Sequence, residues 1–317
     1  MMKKFSRSLE IIPKHPRFIL RLVGNYLRLF LGRPVLRNGE IALTYSCNCT
    51  CSHCSASDLY HRDKHPLGTD KVKEIIDEMI GLGAVQIMFS GGEPTLRPDL
   101  AEIIGHVDKH KALPCLLTSG RDLSFSLLRS LRRSGLFHLG VSIDSADPDC
   151  HDRNRGVPGL FRRNLSLISS ARSLGLYVQI LTVATRQNIG NGRLEKVIDL
   201  AAERGVDINI IFATAAGRWK ADHSRLLSPS DYRWVETTLL NRSHVRWEGN
   251  SGYLGTSCPA GTEKIYITAY GDVTPCDFIQ ISFGNIYREP LAMIWERMRN
   301  IPPFRQRQKV CISSLDR

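Results

Sequence analysis

The sequence predicts an α/β protein in which six βα repeats form part of a TIM-like barrel, followed by a small α+β module. Two observations support this prediction. From residue 40 onward, short β-rich runs alternate with stretches of helical periodicity, which is the pattern of parallel strands joined by helices. After about residue 225 the alternation stops, and the pattern of a β-hairpin follows.

Most of the predicted strands are apolar nearly throughout, as expected for strands that are covered on both faces. Their ranges are 41–45, 85–90, 114–118, 139–143, 177–183 and 207–212. The helical patterns between them occupy 69–82, 97–110, 123–134, 159–174 and 191–204. Six repeats in about 175 residues fall short of the eight strands and ~250 residues of a complete barrel, so we expect a partial (βα)6 barrel.

The chain divides into three predicted segments. They are a basic amphipathic helical arm over 1–38, the barrel core over 39–225, and the small module over 226–317. Within the last segment we expect a helix over 228–240, a hairpin with strands 265–268 and 273–276, and a closing helix over 290–298. Ser228 or Ser230 is the expected cap of the first of these helices.

The net charge of +12 is concentrated at the N-terminus. Residues 1–38 hold nine basic side chains against one acidic one, a net +8, whereas the other 279 residues carry only +4. The basic residues of the arm are Lys3, Lys4, Arg7, Lys14, Arg17, Arg21, Arg28, Arg33 and Arg37. Because the excess belongs to one segment and not to the whole surface, no nucleic-acid partner is expected.

Residues 16–32 of the arm have the pattern of a helix, with proline at its start and glycine at its end. Its arginines share one narrow face at about 100° per residue, and apolar side chains cover the rest. Such a helix either lies at a membrane surface or packs on the barrel with its arginines in solvent, so peripheral membrane association through residues 1–38 is one expectation. The sequence has no secretory signal and no run near the ~18–20 apolar residues of a membrane span. We therefore expect a reduced, cytoplasmic protein.

Four of the nine cysteines lie within eight positions: Cys47, Cys49, Cys51 and Cys54. One short loop that brings several thiolates together suits a metal centre better than disulfides. Cys47, Cys51 and Cys54, with three and then two residues between them, can hold three irons of a [4Fe–4S] cluster and leave the fourth iron open. The alternative is a zinc site that also uses His53, although no second ligand pair follows at the usual spacing.

This loop, followed by Gly91-Gly92-Glu93 at the end of the next strand, resembles that of the radical S-adenosylmethionine (SAM) enzymes over roughly residues 40–220. The resemblance implies that Cys47, Cys51 and Cys54 bind the cluster, and it assigns a further set of residues to SAM. These are Gly91, Gly92, Glu93, Thr118, Ser119, Ser142, Asp144 and Arg155. The glycines would let backbone approach the ligand closely, Glu93 would accept hydrogen bonds from its ammonium group, and Arg155 would pair with its carboxylate. Cys49 departs from the family loop and is expected to be a buried apolar side chain, with a role as an oxidation-sensitive thiol or alternative ligand as the second interpretation.

The C-terminal module resembles the SPASM and shorter twitch extensions of radical SAM enzymes, which bind auxiliary iron–sulfur clusters. The resemblance rests on the segments 258–261, 271–276, 284–286 and 294–295. Only three cysteines are present for it, Cys258, Cys276 and Cys311, so it implies one auxiliary cluster rather than two. The alternative is a module whose thiols are free and buried.

Taken together, the resemblance implies an enzyme that cleaves SAM reductively at the cluster to a 5′-deoxyadenosyl radical. This radical would abstract hydrogen from a small-molecule or lipid-linked substrate, with oxidation, epimerisation or carbon–carbon bond chemistry as the outcome. The electron donor would be of the flavodoxin or ferredoxin type. A peptide-modifying maturase is the alternative, although residues 1–38 contain no clear peptide-recognition domain. A non-catalytic iron–sulfur or zinc module is a remote alternative.

Overall fold

The structure, a computed structural model, describes residues 16–247, 257–305 and 308–314. Its strands are β1 (Asn38–Thr44), β2 (Gln86–Gly91), β3 (Leu113–Thr118), β4 (His138–Ser142), β5 (Tyr177–Ala184), β6 (Asp207–Phe212), β7 (Val245–Arg246), β8 (Lys264–Ile267) and β9 (Val273–Thr274). Its α-helices are α1 (Pro16–Phe30), α2 (Thr69–Gly81), α3 (Leu100–His106), α4 (Phe125–Ser134), α5 (Pro148–Arg155), α6 (Leu160–Ser173), α7 (Arg186–Gly190), α8 (Arg193–Glu203), α9 (Pro229–Trp234) and α10 (Leu291–Arg299). Lys3, Lys4, Arg7 and Lys14 of the predicted arm lie outside the described residues.

The described strands form one sheet in the order β7-β6-β5-β4-β3-β2-β1-β8-β9. From β1 to β7 each strand pairs in parallel with the one before it. Because every new strand is added at the same edge, right-handed crossovers place the connecting helices on one face, and the other face curls into an interior. The predicted partial barrel is therefore confirmed, and the short strand β7 adds a seventh parallel strand to the six predicted ones.

The C-terminal hairpin continues this sheet. β8 and β9 are antiparallel, as the sequence predicts, and β8 also pairs in parallel with β1 from Asn38–Lys264 to Ile41–Ile267. Ser228 caps α9 by accepting a hydrogen bond from the backbone N–H of Asp231. The small module is thus joined to the first barrel strand, which brings its cysteines toward the barrel interior.

Side chains alternate between the two faces of the barrel strands. Outward-facing residues such as Ile41 and Phe89 pack with Ile75 and Ile76 of α2 in the main apolar core. Several inward-facing side chains are polar, and Glu40, Gln86, His138, Gln179 and Asn209 border the same interior space. The barrel interior is therefore suited to hold a ligand with polar groups.

Helix α1 is present as predicted and packs on the barrel. Its orientation differs from the expectation that its arginines would all face solvent. Arg21 donates hydrogen bonds to the carbonyl oxygens of Ile80 and Ala84, and the buried Asn25 donates one to the carbonyl of Gly83. Part of the polar face thus contacts the barrel, because Arg21 and Asn25 donate hydrogen bonds to backbone carbonyls in the last turn of α2 and just after it. Among the described helices, none combines the length and hydropathy that a transmembrane span requires.

Candidate active site

The carboxyl ends of the barrel strands surround a cavity of about 220 Å³. Most of the residues predicted to bind the cluster or SAM line this single cavity. They are Cys47, Cys51, Cys54, Gly91, Gly92, Thr118, Ser119, Ser142 and Arg155. The remaining two predicted residues, Glu93 and Asp144, are buried in the cavity wall and contact residues that line it.

The cysteine loop leaves the end of β1 and is held by backbone hydrogen bonds on two sides. Toward α5, the N–H of Thr50 donates to the carbonyl of Arg155 at 3.0 Å, and that of Ser52 donates to Asn154 at 2.8 Å. On the other side, the N–H of Arg218 donates to the carbonyl of Cys54 at 3.0 Å. These bonds fix where the three thiols point without using their side chains.

Gly91 and Gly92 pack directly against the start of this loop. A Cβ atom at Gly91 would lie 2.2 Å from the carbonyl oxygen of Thr44, and one at Gly92 would lie 2.3 Å from that of Ser46. Gly91 also has φ +114°, a conformation that favours glycine. The sequence-based prediction assigned these glycines to close approach of a ligand. In the structure they allow close approach of strand β2 to the cysteine loop.

Glu93 is fully buried, and its carboxylate accepts five hydrogen bonds from protein groups. Oε1 accepts from the N–H of Thr95 at 3.2 Å, from its hydroxyl at 2.8 Å and from the Thr118 hydroxyl at 2.7 Å. Oε2 accepts from the N–H of Ser119 at 2.9 Å and from its hydroxyl at 2.5 Å. The carboxylate thus ties the end of β3 to the loop after β2 and positions Ser119 at the cavity. The direct bond to the ammonium group stays a prediction.

Arg155 and Asp144 form a buried ion pair beside the cysteine loop. The guanidinium donates to both carboxylate oxygens, at 2.7 and 2.5 Å, and its Nη1 lies 3.7 Å from the sulfur of Cys51. Burial alone would raise the pKa of Asp144, but the neighbouring Arg155 and His53 lower it to about 2. Arg155 therefore places a positive charge next to Cys51, which by itself lowers the pKa of this thiol, whereas the hydrogen bond with Cys49 and burial raise that pKa overall. Its predicted pairing with the SAM carboxylate stays a prediction.

Two further side chains line this cavity, His53 and Trp219. The sequence suggested only a zinc-binding role for His53 and gave no indication of Trp219. His53, weighed only as a zinc ligand, lies 3.5 Å from the Asp144 carboxylate and packs at a tilt against Trp219, with 5.7 Å between ring centroids. Burial lowers the pKa of His53, while the nearby Asp144 carboxylate acts against this shift. Its position next to Cys54 was a usable signal, whereas Trp219 comes from a distant turn that carries no motif. No three His, Cys, Asp or Glu side chains within the described ranges are placed to hold a single metal ion.

Cys49 is half-buried and lines the same cavity, which contradicts the expectation of a buried apolar side chain. A hydrogen bond from the Cys49 thiol is the main cause of a lowered pKa at Cys47. Cys49 therefore lies among the thiols predicted to bind the cluster in space as well as in sequence.

A second cavity of about 470 Å³ fills the barrel interior. It shares wall residues with the first cavity, among them Glu40, Leu117, Leu181 and Phe278. All three C-terminal cysteines, Cys258, Cys276 and Cys311, line it. The Cys258 thiol donates a hydrogen bond that lowers the pKa of Cys311, and burial raises the pKa of Cys276. The three predicted auxiliary ligands are thus brought together at one wall of the inner cavity.

A buried charge network lies where the two cavities meet. The Lys264 ammonium, which is 2% exposed, lies 2.9 Å from the Glu40 carboxylate and 3.0 Å from that of Asp277. Glu40 and Asp277 border both cavities. The junction therefore combines two carboxylates with apolar side chains, among them Leu117, Leu181 and Phe278.

Comparison with known proteins identifies this arrangement. Residues 41–201 match the family model described as the radical SAM superfamily. The chain belongs to the radical SAM superfamily. Residues 258–313 match the SPASM domain, described as an iron–sulfur cluster-binding domain. The resemblance found in the sequence is thereby confirmed for both parts of the chain.

Several known proteins are similar to most of the chain. An AdoMet-dependent heme synthase of Methanosarcina barkeri is 31% identical over 284 residues, which cover 80% of either chain. A PqqA peptide cyclase of Streptomyces rochei is 27% identical over 285 residues, which cover 84% of this chain and 77% of the relative. Among solved structures, Streptococcus suis SuiB bound to its precursor peptide SuiA superposes with a TM-score of 0.65 at 18% identity, over 86% of this chain and 66% of SuiB. The structure of anSMEcpe with bound AdoMet gives a TM-score of 0.62 at 20% identity, over 86% and 79% of the respective chains. These two structural likenesses concern the fold.

Radical SAM enzymes carry a [4Fe–4S] cluster and SAM, and the SPASM domain adds auxiliary iron–sulfur binding. The side chains present fit these groups. Four thiols, those of Cys47, Cys49, Cys51 and Cys54, line the outer cavity beside a buried guanidinium, and hydroxyls and glycine backbone form the neighbouring wall. Three further thiols line the inner cavity. Thiolates are the usual ligands of iron–sulfur clusters, so both donor sets have the required chemistry.

Proposed function

We propose that this radical SAM enzyme abstracts a hydrogen atom from a small organic substrate held in the inner cavity, between the SAM site and an auxiliary cluster. The observation that supports this most directly is the shared wall of the two cavities, from Glu40 to Phe278. A substrate in the inner cavity would meet the SAM site at one end and Cys258, Cys276 and Cys311 at the other. When the cluster and SAM are bound, they supply the radical that takes the hydrogen atom.

Within this proposal each site residue has a role. Cys47, Cys51 and Cys54 hold the [4Fe–4S] cluster, and Arg155 stabilises the negative charge at Cys51. The backbone of Gly91 and Gly92, with the hydroxyls of Thr118, Ser119 and Ser142, binds SAM. Glu93 and Asp144 position Ser119 and Arg155, respectively, through the bonds described above. A flavodoxin- or ferredoxin-type protein supplies the electron.

The properties of the inner cavity favour a small molecule. Its volume of about 470 Å³ lies within the roughly 300–1,000 Å³ of typical small-molecule sites. Its wall combines apolar residues with charged groups. Among these, the Lys264 ammonium contacts the carboxylates of Glu40 and Asp277. A haem precursor is one candidate of this class, because the 31% identical relative is a heme synthase. The reaction would then be a two-electron oxidation of the substrate, in which hydrogen-atom abstraction removes the first electron and a cluster held by Cys258, Cys276 and Cys311 would be placed to accept the second.

A peptide is the second candidate substrate. The PqqA peptide cyclase of Streptomyces rochei and the mycofactocin maturase MftC of Mycobacterium ulcerans are 27% and 29% identical to this chain over more than four-fifths of its length. In that case a peptide side chain would enter the inner cavity from the outer one.

The first experiment tests the reaction. Anaerobically reconstituted protein, reduced with dithionite and supplied with SAM, should form 5′-deoxyadenosine, and Cys51→Ala should lose this activity. Cys150→Ala is the matched control, because Cys150 is a half-buried thiol that lines neither cavity. Equal activity of the Cys51 variant and the wild type would contradict the assignment.

The second experiment tests the substrate class. Mass spectrometry of compounds that co-purify with the wild type should identify a small molecule that Leu181→Phe, which narrows the junction of the cavities, fails to retain. A co-purified peptide would instead favour the maturase function.

A further inference from the structure

Helix α1 presents an apolar face to solvent. Phe30 is 89% exposed, Leu20 and Leu31 are each 71% exposed, and Leu27 is 58% exposed. At about 100° per residue these four side chains fall within one arc of the helix, and Tyr26 lies at its border. A helix that packs on a globular body normally turns its apolar face inward, so this arrangement needs a further partner.

The contacts of the opposite face fix this orientation. Phe18 and Asn25 are buried against the barrel, and Asn25 donates a 2.8 Å hydrogen bond to the carbonyl of Gly83. Arg21 reaches the carbonyl oxygens of Ile80 and Ala84. Rotation of the helix to bury the exposed leucines would leave these buried polar groups without their partners, at a cost in free energy. The apolar arc is therefore held outward by specific bonds.

Basic residues lie beside the exposed arc. Arg17 and Arg28 are about 20° apart around the helix and adjoin the apolar face on one side, and Arg33 follows the helix end. The segment that precedes α1 adds Lys3, Lys4, Arg7 and Lys14 against a single acid. The exposed apolar face thus has an aromatic residue, Tyr26, at one edge and the basic residues Arg17 and Arg28 at the other. Helices that lie in the headgroup region of anionic membranes have this combination of side chains.

We infer that α1 docks this protein on an anionic lipid bilayer, with the helix in the plane of the surface. Its 15 residues extend over about 22 Å, which is less than the ~30 Å hydrocarbon core, so the helix lies on the membrane and does not cross it. Leu20, Leu27, Phe30 and Leu31 enter the acyl boundary, and Arg17 and Arg28 contact lipid phosphates. This inference does not depend on the identity of the substrate.

Vesicle co-sedimentation of the full-length, cluster-loaded protein tests the inference. Wild type should bind vesicles of phosphatidylglycerol and phosphatidylcholine, and Leu27→Ser with Phe30→Ser should weaken this binding by at least about tenfold. The matched control is Ile281→Ser with Met293→Ser, whose side chains are similarly exposed, at 59% and 57%, and whose loss should leave binding unchanged. Thermal unfolding of each variant checks that it is folded.

A second pair of variants tests the charge. Arg17→Gln with Arg28→Gln should lower binding to the anionic vesicles by about fivefold per charge while leaving the weak binding to pure phosphatidylcholine unchanged. Equal vesicle binding by wild type and the apolar-face variant would overturn the inference. So would a wild type that binds no vesicles but forms a dimer that the same variant dissociates, because the face would then belong to a second copy of this chain.

Discussion

Substitution of Glu93 by glutamine separates a positioning role from direct contact with SAM. The change keeps the shape of the side chain but replaces one carboxylate oxygen by an amide NH2 group. Two of the five donors around this carboxylate are backbone N–H groups, those of Thr95 and Ser119, one on each oxygen. Hydroxyls can rotate to accept a hydrogen bond, but a backbone N–H cannot, so at least one buried N–H loses its acceptor in Glu93→Gln.

The magnitude follows from this geometry. An unsatisfied buried donor costs about 1–3 kcal/mol, and the remaining bonds lose the roughly twofold strengthening that an ionised acceptor provides. We therefore expect Glu93→Gln to lower the free energy of unfolding by about 2–4 kcal/mol and Tm by about 5–10 °C. Because Ser119 moves with the site, SAM binding should weaken in parallel with this loss of stability.

The assay compares anaerobic thermal unfolding and SAM binding in the wild type, in Glu93→Gln and in Glu102→Gln. Glu102 is the control, because it forms a surface ion pair with Lys73 and its loss should cost less than about 1 kcal/mol. An unchanged Tm in Glu93→Gln, together with a large loss of SAM affinity, would refute the positioning role. Such a result would favour the direct bond to the SAM ammonium group that the sequence motif predicts.

Four further predictions address the loop, the charge network, pH and the auxiliary cluster. Gly92→Ala places a methyl group 2.3 Å from the carbonyl oxygen of Ser46, so the cysteine loop must shift and the bound iron per chain should fall; full iron loading would contradict this. Lys264→Met removes the cation between the buried Glu40 carboxylate and the half-buried Asp277 carboxylate and should destabilise the protein by about 3–5 kcal/mol, which an unchanged chemical unfolding midpoint would disprove. Burial lowers the pKa of His138 to about 4, below the ~6.5 of an unfolded chain, so the unfolded state takes up the proton first and stability falls as pH decreases from about 6.5 toward 4. The fall in Tm between pH 7 and pH 5 should be smaller in His138→Gln, and an identical fall would exclude this contribution. Cys276→Ala should reduce the iron and sulfide content, and an unchanged content would argue against the auxiliary cluster.

Local patterns predicted the barrel elements well, because strand and helix periodicities depend on residues that are close in sequence. The strand predicted over 207–212 agrees with β6 at both ends, and the helix predicted over 159–174 differs from α6 by one residue at each end. Helix α5 was missed because most of its side chains are polar and it has little apolar periodicity. The pairing of β8 with β1 depends on residues more than 220 positions apart, for which a single sequence contains no signal.

In the candidate site, too, features that depend on neighbouring residues were predicted, whereas features that depend on distant residues were not. The cysteine spacing and Gly91-Gly92-Glu93 identified the family, because both motifs are short and continuous. The role of Glu93 could not be read from its motif, since three of its five donors belong to Thr118 and Ser119 of another strand end. The orientation of α1 was also unpredictable, because the sequence defines two faces of the helix but not the carbonyl groups that Arg21 and Asn25 contact.

The most direct test of radical SAM chemistry at the cysteine loop is 5′-deoxyadenosine formation by the reduced, reconstituted protein. We predict product from the wild type and from Cys150→Ala. The Cys47→Ala, Cys51→Ala and Cys54→Ala variants should each form none and should lose the SAM-dependent change in the electron paramagnetic resonance signal of the reduced cluster. Product formation at the wild-type rate by any of these three variants would contradict the assignment of the cluster to Cys47, Cys51 and Cys54.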